Sequence, residues 1–273
     1  PYPNVGGFTR VPTNEDARKM AHKLTHARQH AIEFVDLFRD RMPSFSRKTH
    51  FIALKNGNYE FFGGELCSSE GYCVSRQNFW DHLDRVVVPY SQATGFEFEG
   101  KEYMVGSLSR MNLNKGALHR NTKKDVGSSL SLFPSSNIYM NNLAQAIEIV
   151  HCIDHAIERL EAWDFKPEQY KTPPVKAGTG IGVTEAPRGT LFYALKVNEQ
   201  GMVDYINLVI PTAQNFINIE KDIAQVVQDT YDSGKEKDEI SMEVEKLVRA
   251  YDQCMSCATH FLKLRIKETK NAA

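Results

Sequence analysis

Apolar residues recur at helical spacing over two long stretches of the chain. Thr13-Asn14-Glu15-Asp16 has the polar and acidic character of a helix start. Met20, Leu24, Ala27, Ala31, Phe34, Val35 and Phe38 then follow at spacings close to one helical turn. The pattern predicts a helix running to about Met42, where Pro43 stops it because proline lacks the amide hydrogen that the next turn needs. A second stripe (Ile138, Leu143, Ala146, Ile147, Val150, Ile153, Ile157 and Leu160) predicts an amphipathic helix from Asn137 to Trp163. Cys152 is assigned to its core side. His151 and His155, with Glu148, Glu158 and Glu161 nearby, are assigned to a surface or interface. From Asn218 two further helices fit, ending near Asp229 and Tyr251, with the polar Ser233-Gly234-Lys235-Glu236-Lys237 loop between them.

Between residues 50 and 105 the period shortens. Phe51-Ile52-Ala53-Leu54 and Tyr59-Glu60-Phe61-Phe62, separated by Asn56-Gly57-Asn58, read as a hairpin, and Gly63-Gly64 as a turn or bulge. Cys67 and Cys73 bracket a turn-like stretch and read as incidental. Residues Asn78 to Val88 read as a short helix feeding an extended segment, and Lys171 to Lys176 as a proline-containing connector. The fold class is therefore α+β: a core of long helices with peripheral β hairpins and extended segments around residues 190–210, taken as one domain over 1–273. A structure dominated by one parallel sheet would contradict this reading.

Composition adds boundaries. The 273 residues are 41% hydrophobic, enough for a substantial core, and the net charge of −1 carries no electrostatic footprint for nucleic acid. No apolar run approaches the ~20 residues of a membrane span. Neither a leader-like start nor a disulfide-rich pattern is evident, since the five cysteines are an odd count in a chain of this length. A cytoplasmic setting follows, with no nucleic acid or membrane as partner. Pro1-Tyr2-Pro3-Asn4-Val5-Gly6-Gly7-Phe8 reads as the interior of a protein, so the N-terminal part of a longer ancestor is expected to be missing, removed or carried on another chain.

Candidate chemistry gathers near the C-terminus. Asp252-Gln253-Cys254-Met255-Ser256-Cys257-Ala258-Thr259-His260 places two thiols, a carboxylate and an imidazole within nine residues. Thiolates three apart can reach one metal and favour soft or borderline ions. A structural zinc half-site, a redox pair and two inert buried thiols are the competing readings. Arg188, between Pro187 and Gly189 and before an apolar strand, needs a partner wherever it is buried, and a structural ion pair is its plain reading. Gly178-Thr179-Gly180-Ile181-Gly182 lacks the endings of phosphate-binding loops and reads as flexible backbone beside a buried site. His22, His26 and His30 form a row one turn apart on the first helix and read as a solvated or packed face rather than a ligand set.

Three segments in order, Glu185-Ala186-Pro187-Arg188-Gly189-Thr190-Leu191, Leu208-Val209-Ile210-Pro211-Thr212-Ala213-Gln214-Asn215 and Asp252-x-Cys254-x-x-Cys257-x-x-His260, resemble the large subunit of nickel–iron hydrogenases, closest to the cytoplasmic, nicotinamide-linked type. Val5-Gly6-Gly7-Phe8 and Val105-Gly106-Ser107-Leu108-Ser109-Arg110-Met111-Asn112 also look like family segments. The resemblance runs along essentially the whole chain but covers roughly the C-terminal two-thirds of the usual subunit. It implies reversible heterolytic cleavage of hydrogen at a Ni–Fe centre with CN and CO ligands on the iron. Cys254 would be a terminal nickel thiolate and Cys257 a bridging one. Arg188 would face the reacting position and Asp252 would orient it. Pro187, Leu191, Pro211 and Thr212 would line or contact the cofactor. His260 and the Leu208 carbonyl would hold a magnesium or similar ion.

The family's N-terminal Arg-x-Cys-x-x-Cys, which supplies the other two thiolates, is absent, and Cys67 and Cys73 have the wrong spacing and place to replace it. A companion chain or missing segment is therefore implied. Gln253 stands where the family usually has proline. Thirteen residues, Phe261 to Ala273, follow His260, where a maturation protease usually cuts, so the tail is either unprocessed or retained. With Cys254 and Cys257 committed to metal, three cysteines remain, too few for an iron–sulfur cluster in this chain. Electrons would pass to an iron–sulfur small subunit and, in the nicotinamide-linked type, to an NAD(P)-reducing flavin module. The alternatives are a non-catalytic hydrogenase-like scaffold subunit and a zinc-binding interaction protein.

Overall fold

A computed structural model describes residues 3–4, 6–91 and 94–254. In chain order the elements are β1 (Pro3–Asn4), β2 (Gly7–Phe8), α1 (Asn14–Arg39), β3 (His50–Lys55), β4 (Glu65–Ser68), β5 (Cys73–Val74), a 3-10 turn at Phe79–His82, β6 (Leu83–Val87), β7 (Thr94–Phe98), β8 (Tyr103–Met104) and α2 (Ser107–Asn114). They continue through a 3-10 turn at Lys115–Ala117, α3 (Arg120–Asp125), α4 (Gly127–Leu130), α5 (Met140–Ala162), β9 (Gly178–Ala186), β10 (Gly189–Val197), β11 (Val203–Val209), α6 (Pro211–Asp232) and α7 (Lys237–Ala250).

The two long periodic stretches form the two longest helices. α1 opens on a capping box: the Thr13 hydroxyl accepts from the Asp16 amide at 3.1 Å and the Asp16 carboxylate from the Thr13 amide at 3.2 Å. It ends at Arg39, three residues before Met42, with Asp40 at its C-cap. Its buried face is built largely of small residues, Ala17, Ala21 and Ala31 with Val35, so it lies close along α5. On α5, Leu143, Ile147 and Val150 are completely enclosed. Each such burial is worth about 1.5–3 kcal/mol. Leu108 and Met111 of α2 and Val244, Leu247 and Ala250 of α7 complete this helical core.

A second core lies where the sheets meet α6. Ile52, Leu66, Phe79, Phe98, Tyr103 and Phe192 fill it, and the Phe79 and Phe192 rings stack at 4.0 Å. One sheet has the order β5-β4-β3-β8, with β3 and β8 parallel. β6 and β7 form a hairpin, and β11-β10-β9 is an antiparallel sheet. The mixed architecture of helical core and hairpins is the one expected. The bundle also fixes the end of α7: Arg47 binds Asp222 and Asn218 of α6, and the Asn218 amide donates to the Tyr251 hydroxyl at 2.6 Å.

Several local expectations need correction. β3 pairs with β4, not with residues 59–62. The Asn56 side chain accepts from the amides of Asn58 and Glu60 and donates to the Glu60 carbonyl, curling that segment into a loop in which Tyr59 has a φ of +53°. Cys67 and Cys73 are not incidental: the β4–β5 register sets them opposite each other and they join in a disulfide. The glycines from 178 to 182 form an exposed strand of the β9–β10 hairpin instead of a flexible loop beside a buried site. α6 begins at Pro211, seven residues before Asn218, because proline suits the first helical position. Cys152 is exposed and His151 is buried, the reverse of their expected places. His151 turns inward because its Nδ1 accepts from the His119 amide at 3.0 Å while Nε2 meets the Tyr59 carbonyl at 3.2 Å.

Candidate metal centre

The turn between β9 and β10 is two residues long, Pro187 and Arg188, closed by the pair Ala186 and Gly189. Gly189 has a φ of +138°, and a Cβ there would lie 2.4 Å from Val105 Cγ2. Gly106 is equally confined, since a Cβ on it would lie 3.1 Å from the Arg188 carbonyl oxygen. Two glycines thus let the turn rest directly on the start of α2.

Arg188 reaches from this turn to the chain end of α7. Its Nε donates to the Asp252 carbonyl at 2.6 Å and its Nη2 to Asp252 Oδ1 at 3.3 Å. Nη1 has no acceptor among the described residues. Asp252 has a φ of +53°, a conformation that brings its carbonyl and carboxylate to the same guanidinium, and its Oδ2 accepts from Gln145 of α5 at 3.0 Å. Two residues on, the Cys254 amide donates to the Thr212 hydroxyl at 3.3 Å. Thr212 is the second residue of α6 and is buried, as is Pro211 before it.

Arg188, Asp252, Cys254 and the Pro211-Thr212 helix start therefore meet. Among the described residues the Arg188 and Asp252 side chains retain 42% and 36% exposure. Pro187 is exposed at the rim, Leu191 is half-buried on β10, and Leu208 is exposed on β11 opposite Tyr193. Cys257 and His260 lie outside the described residues. Among the described residues no group of three or more histidine, cysteine or acidic side chains is arranged to hold a metal.

Two features near this turn were not assigned from sequence. Behind it, Arg110 is almost fully buried between Glu148 and Glu185. Burial alone would push the Glu148 carboxyl up, but Arg110, Ser107 and the Tyr59 hydroxyl outweigh it and hold the group below its ordinary range. Beside it opens an apolar cleft of about 670 Å³ between α1 and α5, lined by Leu24, Phe34, Phe38, Phe61 and Ile153 and ending at Pro187. Cys152, open to this cleft, lies on its wall, where the protein packed around the sulfur and then Glu148 push the thiol up to about 11. Arg110 and Glu185 lay within segments already singled out, but nothing in their spacing revealed that they share one buried site.

The model of the nickel-dependent hydrogenase family matches residues 75–260, which include the turn, the α6 start and the cysteine loop. The chain belongs to this family. The alpha subunit of sulfhydrogenase 1 from Pyrococcus furiosus is 34% identical over 269 residues, covering 95% of this chain and 61% of that protein. The beta subunit of the NAD-reducing hydrogenase HoxS from Cupriavidus necator is 33% identical over 230 residues, covering 75% and 46%. A solved NAD+-reducing NiFe hydrogenase in its H2-reduced state shares the fold with a TM-score of 0.73 at 20% identity, covering 93% of this chain and 62% of that one. The chain thus spans about three-fifths of the length of the first of these relatives. Among the described residues no helix is long and apolar enough to cross a membrane.

The residues present fit one edge of a nickel–iron group. A thiol can bind it as thiolate, a guanidinium with one nitrogen unpartnered among the described residues is tied to Asp252 two residues before that thiol, and the Thr212 hydroxyl accepts from the Cys254 amide. Among the described residues a single cysteine, Cys254, belongs to this edge.

Proposed function

We propose that this chain is the larger part of the catalytic subunit of a nickel–iron hydrogenase, forming one hydrogenase-like unit over residues 1–273. The observation that carries this reading is the convergence of Arg188, Asp252, Cys254 and Thr212 from three separate motifs on one loop.

When bound, the nickel–iron group with CN and CO on iron supplies the Lewis acidity for heterolytic cleavage of hydrogen. Cys254 and Cys257 would hold it as thiolates, and the Cys254 sulfur would serve as a base for a proton. A metal-held thiol is deprotonated at neutral pH, so that sulfur is an available base. Arg188 presents a fixed positive charge to the reacting position. Asp252, through its carbonyl and Oδ1, holds the guanidinium in one orientation. The Thr212 hydroxyl fixes the Cys254 amide, and Pro187, Leu191 and Pro211 would line the side of the site that meets the group. His260 and the Leu208 carbonyl take a magnesium or similar ion.

The missing thiolates come from a companion chain or from the part of the subunit that this chain does not span. Electrons leave through an iron–sulfur small subunit to a flavin-containing NAD(P)-reducing module, with the complex in the cytoplasm. Metal analysis of the purified complex is the test. Nickel, with iron in excess of it because the iron–sulfur subunit carries cluster iron, supports the reading; zinc in place of nickel, or no nickel at all, removes it in favour of an interaction protein or a scaffold subunit.

A further inference from the structure

Arg110 lies on α2, outside the set that meets at Cys254, yet it touches the reactive turn more directly than any other side chain described. Its Nη1 donates to the Ala186 carbonyl at 3.0 Å and its Nη2 to the Pro187 carbonyl at 3.1 Å. These are the two backbone acceptors that immediately precede Arg188. The rest of the guanidinium is held from behind. Nε and Nη2 donate to the two oxygens of Glu148 at 2.7 Å each, Nη1 donates to Glu185 Oε2 at 2.7 Å, and Nη2 lies 2.9 Å from the Ser107 hydroxyl.

The acid partners are themselves anchored. Tyr59 and Ser107 donate to Glu148, at 2.8 and 2.6 Å. The Leu54 amide and the Thr190 hydroxyl donate to Glu185 Oε1, each at 2.8 Å. Every nitrogen of Arg110 is thus engaged, and its direction is fixed by α5 on one side and by β9 on the other. A planar fork set this rigidly can hold two successive carbonyls at fixed positions, which a flexible ammonium cannot do. The turn has no comparable restraint on its other flank. Pro187 is exposed there, and the close approach of Gly106 to the Arg188 carbonyl confines the backbone without touching the side chain, which only Asp252 holds among the described residues.

We propose that Arg110 is a positioning residue for Arg188: by gripping the carbonyls of residues 186 and 187 it fixes where the Arg188 guanidinium leaves the turn and so aims it at Asp252 and the Cys254 loop. The same grip ties the aim of Arg188 to α5, because Glu148 and Gln145 lie one turn apart on that helix. Glu148 holds the arginine behind the turn, while Gln145 holds the aspartate in front of it. The proposal rests on the catalytic reading of Arg188, but its geometry does not.

The test compares variants of the full chain in its purified complex. Phenylglyoxal modifies accessible guanidinium groups, and mass spectrometry follows Arg188 separately from Arg249, whose exposed side chain is an internal standard. In Arg110→Lys the Arg188 modification rate should rise about tenfold relative to Arg249, the change expected when restraint worth one good hydrogen bond is lost. Ser107→Ala, which removes one partner of the guanidinium and should fold, should raise it about twofold by the same reasoning. Tyr59→Phe removes a partner of Glu148 without touching Arg110 and should leave the rate unchanged even where its melting temperature falls as far. An unchanged rate in both Arg110→Lys and Ser107→Ala overturns the proposal, as does an equal rise in Tyr59→Phe. In hydrogen turnover, Arg110→Lys should lower the rate in the wild type yet add nothing in an Arg188→Lys background; additive losses would show that the two arginines act separately. Loss of the hydrogenase reading would appear as absence of nickel, while the modification rates would still decide the role of Arg110.

Discussion

Two arginines stand back to back at one hairpin turn, and they are built on opposite plans. Arg110 is 2% exposed, lies between two carboxylates and has every nitrogen engaged. Arg188 is partly open, shares a single carboxylate with Gln145, and has an Nη1 without an acceptor among the described residues. A buried guanidinium with all its donors satisfied can only hold things in place, since any new partner must displace an old one. A guanidinium held by two of its nitrogens is oriented and still has something to offer. Placing the rigid one directly behind the available one separates two demands that a single residue could not meet.

The largest effect expected from this contrast is on stability. Arg110→Met leaves two buried carboxylates without their cation and should lower unfolding free energy by about 3–5 kcal/mol, measured by urea titration. Arg188→Met breaks a half-exposed pair and should change it by about 1 kcal/mol or less. If the two variants unfold at the same urea concentration, the division of labour is wrong. Activity should respond in the other sense. Arg188→Lys keeps a positive charge but loses the fork, and turnover of hydrogen should drop about 10²–10³-fold, the size seen when a preorganised donor is removed from an active site. Nickel and iron contents should not change. A variant that keeps its turnover but loses its metals would move Arg188 from chemistry to assembly.

Legibility in the sequence followed the range of the interactions. The helices α1 and α5 were readable because a long amphipathic period repeats its signal over many turns, and the start of α1 was readable because a capping box is local. The pairing of β3 with β4 was not, because Asn56 curls residues 56–60 and displaces the partner strand to residues 65–68. The meeting of Arg188, Asp252 and Thr212 was legible only through the resemblance of three motifs; no spacing along the chain encodes contacts 42 or 64 residues apart. The Arg110 cluster stayed hidden for the same reason, since Arg110, Glu148 and Glu185 lie on three different elements. Burial of His151 turned on a bond to the His119 amide, which no amphipathic pattern records.

The buried side of the comparison should also respond to acid. Because Glu148 is held below its ordinary value of 4.5 in the folded protein, the unfolded chain binds its proton more readily. Its contribution to stability is therefore present above the unfolded value and is lost as pH falls through the lower, folded one. Glu148→Gln should remove that part of the acid-side slope and cost about 1–3 kcal/mol at neutral pH, because the amide turns a donor toward the guanidinium. Urea midpoints measured from pH 6 downward would check both statements. A slope as steep in the variant as in the wild type would mean that other carboxylates carry the acid sensitivity.

The smallest effect belongs to the open side, at the single bond between the Cys254 amide and the Thr212 hydroxyl. Thr212→Val keeps the branched shape and removes the acceptor. The bond is worth about 0.5–1.5 kcal/mol, and at this length it belongs at the weaker end. Global unfolding should barely register the loss, because the Cys254 loop lies beyond the end of α7 and outside both hydrophobic cores. Hydrogen exchange at the Cys254 amide reports on the bond itself and should accelerate several-fold. If exchange there is unchanged while the urea midpoint falls, Thr212 serves the buried start of α6 instead of the loop. The open side of the site would then rest on the grip of Arg188 on Asp252.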